Sequence, residues 1–67
     1  MKGIKVYVTT KARPFQPEQF IDVFGTKKEA ESALRKEFPH MRKSMKENVY
    51  SSDRDNTYIL FIHEREV

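Results

Sequence analysis

"VFGTKKEAESALRKEFPHMRK", residues 23–43, decides how this chain folds. It opens on the end of an apolar strand, breaks at Gly25 and enters a helix that a proline stops. Thr26 suits the N-cap, because its hydroxyl can accept from a backbone N–H that the first turn leaves unpaired. Glu29, three residues later, completes a capping box. Ala30, Ala33, Leu34 and Phe38 recur at helical spacing and form one apolar stripe. Glu31 and Arg35 are ordered for a stabilising i,i+4 pair, and Arg35 and Lys36 suit the negative C-terminal end. Pro39 disfavours helical geometry at Phe38, so the helix ends there. A helix with one apolar stripe must lay it on something. The flanking segments read as strands.

Upstream, "IKVYVTT" (Ile4 to Thr10) alternates, with Ile4, Val6 and Val8 on one side and Lys5, Tyr7 and Thr9 on the other. "KARPFQP" follows as a loop stiffened by Pro14 and Pro17, with Phe15 expected to tuck beneath it. "EQFIDVF" (Glu18 to Phe24) is a second strand, Ile21 and Val23 sharing one face and Phe20, Asp22 and Phe24 the other. Downstream, "KENVYSS" (Lys46 to Ser52) is a weak polar strand and "DRDN" (Asp53 to Asn56) has turn chemistry. "TYILFIHER" (Thr57 to Arg65) is apolar on both faces from Tyr58 to Ile62, which suits the middle of a sheet. The expectation is a single α+β domain over residues 1–67, a small ββαββ fold. Its four-stranded mixed sheet takes the order 2-1-4-3, the first and last strands lie parallel, the more polar strands take the edges, and one helix packs on one face.

Composition sets the bounds. The 67 residues contain no cysteine, so no disulfide helps a chain near the lower size limit for folding unaided. Eight aromatic residues supply core material despite a mean hydropathy of -0.79. "MKGIKVYVTTK" lacks an apolar run long enough for a signal peptide, so the cytosol is the expected location. The small, cysteine-free, charge-rich make-up suits a bacterial or phage protein. Residues 1–46 carry 11 basic and 5 acidic side chains, residues 47–67 carry 2 and 5, and the net charge is +3. A dipolar chain of this kind can steer a partner or meet nucleic acid.

One helix cannot cover both faces of four strands, and the uncovered face is the first candidate site. Tyr7, Phe20, Phe24 and Tyr50 are its expected interface residues, meeting a protein partner or a second copy. The second candidate is the basic segment "PHMRKSMK", residues 39–46, where Arg42, Lys43 and Lys46 join Lys11 and Arg13 of the first hairpin loop as nucleic-acid contacts. An RNA-binding fingerprint of aromatics and glycines is absent from the strands. Pro14 and Pro17 fit a loose proline-recognition spacing, but they join two strands and are not free to form an extended ligand.

Chemistry is sparse. Glu37 falls on the apolar stripe in the last helical turn, where exposure or an ion pair accounts for it better than catalysis. His40 and His63 stand at no metal-ligand spacing, Gly3 and Gly25 are isolated, and the serines form no triad pattern. The sequence therefore points to a non-catalytic binding or regulatory module without cofactor or metal. Protein–protein contact through the open sheet face leads, and nucleic-acid binding is the alternative.

Overall fold

The computed structural model describes residues 3–67; Met1 and Lys2 of the expected domain lie outside the described residues. The elements are β1 (Lys5–Ala12), β2 (Gln19–Phe24), α1 (Lys27–Glu37), β3 (Arg42–Lys43), β4 (Val49–Ser51) and β5 (Ile59–Glu66). They form one antiparallel sheet in the order β2-β1-β5-β4-β3, with the helix against it. The α+β class and the single helix agree with the expectation, and so does the neighbour relation of the four anticipated strands.

Two details differ, and one cause explains both. Arg42 and Lys43, expected in a connection, pair with Ser51 and Tyr50 as a fifth strand. An extra strand reverses the chain once more after the helix. The last strand therefore runs antiparallel to β1 along the whole register from Lys5↔Glu66 to Ala12↔Ile59, not parallel to it.

The helix starts as its cap requires. Thr26 has extended backbone, and its Oγ1 accepts from the Glu29 N–H at 3.1 Å. At the other end the Phe38 N–H donates to the Leu34 carbonyl at 2.7 Å before Pro39 ends the ladder. Ala30 and Leu34 are fully covered and meet Met41, Tyr50, Leu60 and Ile62 of the sheet side. Tyr7, Ile21, Phe24, Phe38 and Tyr58 close the margin of this core. Tyr50 also donates its hydroxyl to Glu31 of the helix, and burial together with that bond pushes the phenol up to about 12. Glu37 is exposed, consistent with its place in the last turn.

The row of β1 that faces the helix is Tyr7, Thr9 and Lys11, because these pair with Glu64, Ile62 and Leu60 of β5. The more apolar row, Val6 and Val8, lies on the other side. Apolarity of β1 alone favours the opposite choice, but Leu60 and Ile62 decide it: they are 0% and 3% exposed under the helix. Thr9 is fully buried, and its hydroxyl can be so because it accepts from the Asp22 N–H and donates to the Asp22 carbonyl, both at 3.1 Å.

Candidate functional site

Cross-strand partners share a face, so the pairing defines the uncovered side. β1 contributes Val6, Val8, Thr10 and Ala12, and β5 contributes Arg65, His63, Phe61 and Ile59 opposite them. Val49 of β4 pairs with Phe61, and Val23 and Phe20 of β2 pair with Val8 and Thr10. Phe20 and Val23 are three apart, a spacing that strict alternation places on opposite faces. A β-bulge brings them together: Asp22 pairs with Thr9 and Phe20 with Thr10, which leaves Ile21 as the extra residue. Ile21 turns to the core while Phe20 and Val23 stand 66% and 43% exposed.

The polar content of this face is mostly satisfied within it. Glu18 Oε1 accepts from the Thr10 hydroxyl at 2.6 Å and lies 2.7 Å from His63 Nε2. The Thr10 bond first, then the His63 bond, holds the Glu18 carboxyl below the usual carboxylate range. Phe61 stacks on His63 with ring centroids 5.7 Å apart and planes at 12°. The centre of the face is thus apolar and self-neutralised, with Arg65 and Arg42 toward its ends.

The nine sequence-derived candidates sort unevenly. Phe20 is on the uncovered face as expected. Tyr7 and Phe24 pack instead at the margin of the helix-side core, and Tyr50 is 2% exposed within it. The unanticipated bulge and the choice of buried row in β1 account for these reversals. The residues missed are Val6, Val8, Val23 and Phe61, whose signal was the alternation itself once the sign of the face was known.

The basic candidates do not converge. Arg42 and Lys43 are neighbours on a strand and so point to opposite faces: Arg42 lies in the row of Ser51 and Ile59, Lys43 in the row of Tyr50 and Leu60. Lys46 sits in the turn that joins β3 to β4. Lys11 belongs to β1 and not to the loop, and it gathers with Arg13 around Tyr58. Lys11 and Lys43 share one row across four strands, which separates their backbones by roughly 14 Å at the usual strand spacing. Phe15 does not tuck beneath its loop. It stands wholly exposed with φ 64°.

Among the described residues no group of three or more His, Asp or Glu is placed to hold a metal ion. No helix among the described residues is long and apolar enough to cross a membrane. No family of known proteins, no characterised protein and no solved structure matches the chain.

Proposed function

We propose that the chain is a non-catalytic interaction module that pairs with a second copy of itself through the uncovered face of the sheet. The observation that carries this reading is the bulge in β2, which turns Phe20 and Val23 onto the face already holding Val8 and Phe61. Large apolar side chains gathered on one open face mark an interaction surface.

The choice of a second copy rests on charge and size. The face has no cluster of one sign to select a differently charged partner, whereas an identical apolar face is complementary to it about a twofold axis. Strands β2, β1, β5 and β4 have 6, 8, 8 and 3 residues, which at ~3.3 Å per residue and ~4.8 Å between strands give a plan of roughly 400 Å² per copy. That is below the ~800 Å² per partner of a standard stable interface. A modest, concentration-dependent dimer is the consequence.

Pairing through the β2 edge is the less suitable mode. The bulge twists that edge, and Asp22 places a charge on it, both of which oppose strand addition.

Light scattering across protein concentration tests the reading. The wild type is expected to move toward twice the 8.0 kDa chain mass as concentration rises, and Phe20→Lys to remain at one chain. Met45→Lys alters an even more exposed apolar residue, in the turn between β3 and β4, and is expected to leave association unchanged. A wild type that stays at one chain mass at millimolar concentration removes the proposal.

A further inference from the structure

We propose that a second, independent site on the helix side of the sheet, the corner formed by Lys11, Arg13, Phe15 and Tyr58, binds single-stranded nucleic acid. Lys11 Nζ lies 5.2 Å and Arg13 Cζ 5.5 Å from the centroid of the Tyr58 ring, so two cations gather at one aromatic ring. Arg13 also donates to the Tyr58 hydroxyl at 3.5 Å. Neither cation has a carboxylate partner: the ion pairs among the described residues are Lys5–Glu64, Lys27–Glu47 and His63–Glu18. The carboxylate closest in sequence, Glu18, lines the edge of this corner, where its Oε1 is engaged by Thr10 and His63 rather than by either cation. The helix ends nearby, with Phe38 6.2 Å from Tyr58 ring to ring, and Arg35 and Lys36 in its last turn offset the partial negative charge there.

Phe15 supplies the second requirement. Its side chain is completely exposed, so it adds nothing to the core, and its backbone occupies the left-handed region that a phenylalanine adopts only at a cost. A turn closed by the Gln16 N–H on the Arg13 carbonyl at 3.0 Å holds it out between Pro14 and Pro17. The turn itself calls for left-handed backbone at its third position, but not for a large ring there, and a wholly exposed phenylalanine is available for a contact made outside the molecule. A groove runs between this loop and Tyr58, lined by Arg13, by the amides of Gln16 and Gln19 and, at its edge, by the Glu18 carboxylate. Unpaired cations for phosphate, a projecting ring for stacking and adjacent amides for base edges are the chemistry by which single strands are held. An acidic peptide accounts for the cations but leaves the ring and the amides without a role.

The test uses the full chain and a fluorescently labelled 12-nucleotide oligouridine, read by anisotropy between low and moderate salt. The wild type is expected to bind at low salt. Lys11→Gln/Arg13→Gln is expected to weaken binding and to flatten the slope of log affinity against log salt by about 1.4, two contacts at ~0.7 each. Phe15→Asn keeps a residue that tolerates left-handed backbone, and is expected to weaken binding roughly fivefold or more through lost stacking, with the slope unchanged. Arg42→Gln/Lys43→Gln is expected to change affinity much less, and the Lys11/Arg13 and Phe15 variants to keep the wild-type dimerisation. Absence of wild-type binding overturns the proposal. So does an equal loss from the Arg42/Lys43 variant, unchanged affinity in Phe15→Asn, or equal competition by polyglutamate.

Discussion

Thr26 illustrates how a single hydroxyl fixes an element. It accepts from the Glu29 N–H, one of the donors that the first helical turn leaves without a partner. Thr26→Ala is therefore expected to cost about 1 kcal/mol in chemical denaturation, with the helix start unchanged in chemical-shift analysis. Glu18 acts on the other face. Its depressed carboxyl pKa means that the folded state releases this proton more readily than the unfolded one. Its contribution is present above the ordinary glutamate range and is lost as pH falls through the folded value. Stability of the wild type is accordingly expected to fall more steeply than that of Glu18→Gln below about pH 4.3. Parallel pH profiles of the two proteins contradict this role. At this scale the sequence was most informative where chemistry is local. The cap was legible because donor and acceptor lie three residues apart. The Glu18–His63 contact was not, because 45 positions separate them and only strand pairing joins them.

Among the elements, the helix and the four longer strands were legible from periodicity and breakers, and β3 was not. Two residues carry no period, and "RK" reads as surface charge until Ser51 and Tyr50 are placed beside it. Missing it inverted the direction of β5. The bulge in β2 had the larger effect on the candidate site. Alternation assigns Phe20 and Phe24 to one face, whereas one extra residue sends Phe24 to the core and Phe20 to the open side. Thr9 supports this irregular pairing from beneath the helix, bonding both backbone groups of Asp22. Thr9→Val keeps the shape and raises strand propensity, yet is expected to destabilise by about 1 kcal/mol or more, because two polar backbone groups lose their partner. Urea denaturation measures it, and a neutral or stabilising result means that the hydroxyl does not hold the bulge.

For the whole molecule, the governing fact is that one 11-residue helix covers one side of a five-stranded sheet. The long β1–β5 pair helps give the chain its extents of 44 × 23 × 20 Å, and its far side presents Val6, Val8, Phe61 and the β2 residues without a covering layer. A domain of this size has little core to spare, so covering that side adds apolar burial the isolated chain cannot obtain. The proposed self-association and the proposed nucleic-acid contact use different residues, so either can be tested without the other. The central claim is tested most directly by isotope-filtered nuclear Overhauser spectra on a mixture of labelled and unlabelled chains. The account predicts intermolecular contacts from the Val8 and Val23 methyl groups to the Phe20 and Phe61 rings. Contacts confined to the helix side or the β2 edge, or none at millimolar concentration, contradict it.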